Sequence, residues 1–140
     1  MPFTGPGEDR QAIRELYDTY SGATCCIDRA TWLDCFAPDA VWRTHYFEVA
    51  GHQAIGAKFD ELMATVTAAS FFTQIASIEV DGDRAHGRAV CQEWLAMPGG
   101  TYRITGRYED EIVRHHGRWL FKMHDYHVIF EELPGVGEIP

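Results

Sequence analysis

Glu93 is the residue whose setting most suggests chemistry. Along residues 85–95, alternate positions read Ala85, Gly87, Ala89, Cys91, Glu93 and Leu95, and a strand sends such a set to one face of a sheet. Five of these six are small or apolar, so Ala89 and Cys91 are expected to line a pocket with Glu93 as the acid in its wall. A carboxyl in a poorly solvated room holds its proton to higher pH, which suits it to proton transfer. The competing reading puts Glu93 at a strand end, reaching water or an arginine.

Other side chains could join or replace it. Thr44, His45 and Tyr46 follow one another on a predicted strand, where His45 is the nearest titratable side chain suited to acid–base work. Asp125 and His127 lie two apart on another, where carboxylate and imidazole would face one way as a general base. His124 and His127, three apart, would face opposite ways, so no metal site is expected. Tyr102 and Tyr108 share a strand face and are candidates for lining a cavity, whereas Arg107, Glu109 and Glu111 share the charged opposite face.

The elements that must hold these residues can be read from spacing. Residues 1–7, with two prolines and two glycines, read as a flexible arm. Ile13, Leu16, Tyr17 and Tyr20 recur at helical period from Glu8 to about Thr24. Asp28 is placed to N-cap a short helix carrying Trp32, Cys35 and Phe36 and stopping near Pro38. Residues 40–49 predict a strand and 51–69 a helix. Strands over 71–80, 84–97, 101–114 and 118–130 follow, joined by turns at Asp81-Gly82-Asp83, Pro98-Gly99-Gly100 and His115-His116-Gly117. Helices followed by a meander predict an α+β domain, with helices on one face of a curved antiparallel sheet. One domain is expected over 8–132, with an aperiodic tail at 133–140.

The totals exclude several function classes. A 140-residue chain with net charge −9 is a poor partner for nucleic acid or an anionic membrane, and no stretch is apolar enough to span a bilayer. MPFTGPGEDR lacks a leader pattern and the four cysteines form no C-x-x-C pair, so reduced thiols and a cytoplasmic location are expected. Phosphate-loop, dinucleotide and serine-hydrolase motifs are missing.

Several ordered segments carry a family resemblance. They are Ala12-Ile13-Arg14-Glu15-Leu16 with Tyr20, Phe36-Ala37-Pro38-Asp39-Ala40-Val41-Trp42, Ile78-Glu79-Val80-Asp81-Gly82-Asp83 with Ala85, and Gly106-Arg107-Tyr108 with Gly117-Arg118-Trp119. Together they resemble the SnoaL-like branch of the nuclear transport factor 2-like superfamily over roughly residues 8–130. The resemblance implies a conical half-barrel, its strongly curved antiparallel or mixed sheet wrapped around a cavity that N-terminal helices close. It also implies cofactor-free acid–base chemistry in the members that are enzymes, such as scytalone and bile-acid dehydratases, polyketide cyclases, ketosteroid isomerase and a dehydrochlorinase. Other members, such as the small subunit of ring-hydroxylating dioxygenases, are not catalytic.

Dehydratases of the family place a tyrosine on the first helix, and Tyr20 matches it. Their aspartate falls at Cys25 in a gap-free reading, while Asp28-Arg29-Ala30-Thr31-Trp32 is similar to the family's Asp-Arg-x-x-Trp segment; both stay open. Their histidine falls at Phe71, which cannot abstract a proton. Bile-acid dehydratases also carry an acid where Glu93 stands, but their arginine on the last strand corresponds to Val128. Thr44 takes the place of the base of ketosteroid isomerase.

The expectation is a cofactor-independent lyase or isomerase acting on a hydrophobic cyclic or aromatic molecule. Glu93, His45 or His127 would move the proton, with Asp28 as a further acid if it takes the aspartate's place. Tyr20 would hydrogen-bond developing charge on oxygen. The alternative is a non-catalytic small-ligand-binding protein, or a subunit resembling the dioxygenase small subunit. Outward-facing Val90 and Trp94 predict a covered outer sheet face, hence a homodimer or homotrimer.

Overall fold

The computed structural model describes residues 1–134; positions 135–140 of the expected tail lie outside the described residues. Helix α1 (Gly7–Cys26) has Glu8 and Asp9 in its first turn, where acids favour the positive end of the helix dipole, and ends at Ile27 in the left-handed region. Its stripe of Ile13, Leu16, Tyr17 and Tyr20 is buried, worth about 2 kcal/mol per large side chain. Helix α2 (Arg29–Leu33) is capped by Asp28, whose carboxylate accepts from the Thr31 amide at 3.2 Å, and it buries Trp32. Helix α3 (His52–Met63) buries Ile55, Gly56 and Phe59. It stops well before Ala69, because the β-branched run Thr65-Val66-Thr67 resists helix and leads into a strand.

The strands are β1 (Phe3–Thr4), β2 (Phe36–Arg43), β3 (Glu48–Ala50), β4 (Ala68–Asp81), β5 (Arg84–Met97), β6 (Gly100–His115) and β7 (Arg118–Glu132). They form one mixed sheet in the order β1-β4-β5-β6-β7-β2-β3. β1 with β4 and β2 with β7 are parallel, and the other pairs antiparallel. The sheet does not close on itself. Register shifts in β2–β7, β4–β5 and twice in β6–β7 mark irregularities of the kind that bend strands. The expected α+β cone is thus present, with α1 packed on β4 and α3 on β2 and β3. No helix of the described residues is long and apolar enough to cross a membrane.

Three local expectations need correction. The N-terminal arm is tied down, since Phe3 and Thr4 pair with Ile78 and Glu79 and the Ile78 amide donates to the Pro2 carbonyl at 2.9 Å. The strand expected over 40–49 is two strands with a loop at Thr44–Phe47, where the Thr44 hydroxyl accepts from the amides of Tyr46 and Phe47. Pro38 does not stop a helix; it lies in β2 where the β2–β7 register shifts.

The small residues of β5 make room for protein. A Cβ on Gly87 would come within 2.5 Å of the Tyr17 hydroxyl and 3.0 Å of Ile112, so α1 and β6 fill that space. Ala89 and Cys91 are accordingly packed core residues, 1% and 2% exposed, and not a cavity surface. Gly106 works similarly: a Cβ there would stand 2.3 Å from the Tyr126 ring. Gly106→Ala is therefore expected to push Tyr126 off its seat and cost about 1–3 kcal/mol, read as a drop in urea midpoint with the m-value retained.

Candidate functional site

The open space lies farther along the same strand face, beyond Cys91. A cavity of about 350 Å³ sits between the ends of β5, β6 and β7 and the helices. Glu93, Leu95 and Met97 face it from β5, Tyr102, Ile104 and Tyr108 from β6, and Tyr126 from β7. Tyr20 and Thr24 of α1, Trp32 of α2 and Trp42 of β2 form the opposite wall. Tyr46 and Phe47 of the β2–β3 loop, Phe59, Leu62 and Met63 of α3, and Leu133 and Pro134 after β7 also line it. The volume suits a small organic molecule, and the wall is dominated by aromatic rings.

Among the described residues that line it, Glu93 is the only Asp, Glu, Lys, Arg or His. Its carboxyl makes no hydrogen bond to any described residue, although four tyrosines surround it. Burial, with no opposing cation, raises its pKa to about 7. The hydroxyls of Tyr20 and Tyr108 stand 3.5 Å apart. Burial is the main reason that both pKa values rise, so both remain neutral phenols able to donate. Burial also pushes the Cys91 thiol up to about 12; its sulfur lies 3.9 Å from the Tyr126 hydroxyl.

At the rim, Tyr46 and Tyr102 both donate their hydroxyls to Glu131, and the Tyr102 bond is the main cause that holds this carboxyl below the usual range. Glu131 reaches the rim because of a bulge. Gly106 pairs with Val128 but Thr105 pairs with Phe130, so Ile129 is the extra residue and face parity changes beyond it.

Beneath the cavity lies a second carboxyl that the spacing argument passed over. Asp110 is 2% exposed. It accepts from the Tyr17 hydroxyl at 2.6 Å, His124 Nδ1 at 3.0 Å and the Asp125 amide at 3.1 Å. The His124 ring, itself fully buried, stacks on Tyr108 at 4.0 Å and meets Tyr20 edge-on at 4.9 Å. The network therefore sets the positions of the two phenols above it. The signal was available: Asp110 shares the alternate-residue face of β6 with Tyr102 and Tyr108.

The remaining candidates fall elsewhere. Asp28 is an exposed N-cap, its pKa lowered chiefly by the Thr31 hydroxyl, and it does not line the cavity. Cys25 faces the backbone of β4, donating to the Phe71 carbonyl at 3.4 Å and accepting from the Phe71 amide at 3.2 Å. Phe71 is 3% exposed, sits directly across the ladder from Glu93 and packs edge-on against Tyr20 at 5.6 Å.

Thr44, His45 and His127 gather on the other side of the sheet in a cleft with Arg43, Arg107 and Asp125. There His127 Nε2 lies 3.2 Å from Asp125, which Arg43 also holds at 2.8 Å. The reason is alternation. Tyr126 points inward, so its two neighbours point out. Among the described residues, no three His, Cys, Asp or Glu side chains come together as metal ligands would.

Residues 7–124 match the SnoaL-like domain. No curated protein matches the sequence. Among solved structures, the chain is similar to a candidate aromatic ring hydroxylase from Novosphingobium aromaticivorans, with 26% identity and a TM-score of 0.83 over 92% of this chain and 95% of that one. It is also similar to a candidate scytalone dehydratase from the same species, at 17% identity and a TM-score of 0.82 over 94% and 95%. A hexachlorocyclohexane dehydrochlorinase, LinA type 2, gives 17% and 0.82 over 95% and 94%. The last two likenesses show the fold alone.

The raised acid of Glu93 links site to stability. An unfolded Glu ionises near 4.5 and the folded one near 7, so between these values the unfolded state binds fewer protons and stability falls as pH rises. Urea unfolding of the wild type should lose about 1–3 kcal/mol between pH 4.5 and 7 relative to Glu93→Gln. Parallel curves for the two proteins would show Glu93 to be ordinary.

Proposed function

This chain belongs to the SnoaL-like domain family, and from that premise we propose that it is a cofactor-independent lyase or isomerase for a hydrophobic cyclic or aromatic molecule. The observation that supports this reading is the single unpartnered carboxyl of Glu93, titrating near neutrality in an aromatic cavity beside two neutral phenols. A general base is most effective with its pKa near the working pH.

In the proposed step the Glu93 carboxylate takes a proton from a carbon next to a substrate carbonyl. The C–H electron pair moves into the carbonyl, and the developing oxyanion accepts a hydrogen bond from Tyr20 or Tyr108. Protonated Glu93 then returns its proton. Delivery to another carbon gives an isomer, and delivery to a departing hydroxyl releases water. Phe71 occupies the place where the resemblance puts a histidine, so Glu93, its cross-strand neighbour, is assigned the proton-moving role.

Hydrogen–deuterium exchange next to the carbonyl of 2-tetralone, followed by NMR in D2O, tests this without a known substrate. The protein should accelerate exchange, Glu93→Gln should abolish the acceleration, and Tyr20→Phe should reduce it about 10- to 100-fold. Undiminished exchange in Glu93→Gln would sink the assignment.

A self-association reading is favoured by a separate observation. Phe72, Val90, Trp94 and Phe130 are 71%, 41%, 53% and 57% exposed on the strands that back the cavity. Such an apolar patch is characteristic of a covered surface. A homodimer or homotrimer through this face should appear in light scattering, and Trp94→Lys should shift it towards monomer.

A further inference from the structure

Taking the cavity as the substrate site proposed above, we infer that it selects by charge: it accepts a ring-bearing molecule whose polar end is uncharged, such as a carboxamide, ketone or hydroxyl, and rejects the carboxylate of the same shape. The inference rests on which charges can reach the space. Among the described residues no Lys, Arg or His lines it. Glu93 is inside without a counter-ion, and Glu131 stands at the rim.

The nearest cations face away or are engaged. Lys58 lies behind Phe47, 4.9 Å from the ring centre, and bonds Glu61 at 2.9 Å. Arg103 lies over the outward Trp94 ring at 5.2 Å and pairs with Glu132 at 3.5 Å. His45 lies tilted against the Tyr46 ring at 3.8 Å, close enough to act on the Glu131 carboxyl at the rim, and lines the outer cleft. The groups that face Glu93 from the packed elements are Tyr20 of α1, Tyr102 and Tyr108 of β6, Tyr126 of β7 and Cys91 of its own strand, all neutral near pH 7.

An anion entering this space would lose its hydration, gain no opposite charge and meet a carboxylate at short range. A neutral polar end meets the opposite situation. The hydroxyls of Tyr20 and Tyr108 can donate or accept, and Glu93 can do either according to its protonation. The rings around them supply flat apolar contact for the remainder of the ligand.

Naphthalene-2-carboxamide and naphthalene-2-carboxylate test this, because they share a shape and differ in charge. Isothermal titration calorimetry at pH 8 should show the carboxamide binding at least about tenfold more tightly than the carboxylate. In Glu93→Gln the ratio should shrink to about threefold or less. The readout is a ratio within each protein, so a partial loss of folding in the variant lowers both affinities and leaves the ratio. Equal affinities in the wild type, a gap that survives unchanged in Glu93→Gln, or no saturable carboxamide binding would each overturn the inference. The assay reads binding alone. A cavity that prefers the carboxamide yet catalyses no exchange would sink the enzyme reading and leave charge selection standing.

Discussion

Asp110 is an acid buried in the core, 2% exposed, and the arrangement around it depends on how its oxygens are satisfied. Its three donors come from two elements: Tyr17 from α1, and the His124 ring and Asp125 amide from the neighbouring strand β7. Removing an acid from water is tolerable only when hydrogen bonds replace the lost hydration. That requirement fixes where α1 lies on the sheet, because Tyr17 must reach over Gly87 to make its bond. It also fixes His124, against whose ring Tyr108 lies flat. The orientation of the cavity's phenols is inherited from a hydrogen-bonding obligation beneath them.

Two acids thus sit on the inner face in opposite conditions. Asp110 accepts from three donors, and Glu93 from none among the described residues. The contrast follows the pattern in which environment, not residue type, divides roles between carboxyl groups. One group holds the sheet and helix together, while the other keeps its bonding capacity unspent on any described residue. Phe71 contributes by occlusion. Its ring seals the strand beside Glu93 against Tyr20, keeping the acid in an apolar setting.

Much of this was legible in the sequence where a periodic signal had only one interpretation. The stripe Ile13, Leu16, Tyr17 and Tyr20, the Asp28 cap and the long hairpins are local features, and local spacing found them. The inner-face position of Glu93 followed from alternation alone. Alternation could not show what would fill the room above Gly87 and Ala89, because the filler comes from α1, some seventy residues earlier. Nor could it orient β7, where both faces carry titratable groups and only pairing with β6 decides. His127 and Asp125 then fall outside and His124 inside. The rings contributed by α2, β2 and α3 carry no separate mark in the sequence, since a residue facing a cavity and one facing a neighbour have the same signature.

The extra residue Ile129 has an effect out of proportion to its side chain. Between the strand's two register shifts His124 and Tyr126 look inward; beyond Ile129, Glu131 turns to the rim and Phe130 to the outside. It behaves as a parity bit for the strand. Draw it into the ladder, so that Ile129 faces Thr105 and Phe130 faces Ile104, and the same letters would be read in the other frame, with a phenylalanine guarding the doorway and a carboxylate on the outer wall. The character of the entrance is therefore written in the backbone's count: whether it is a polar threshold or a greasy one follows from this one residue being bulged out of the ladder, with no residue of the cavity itself altered.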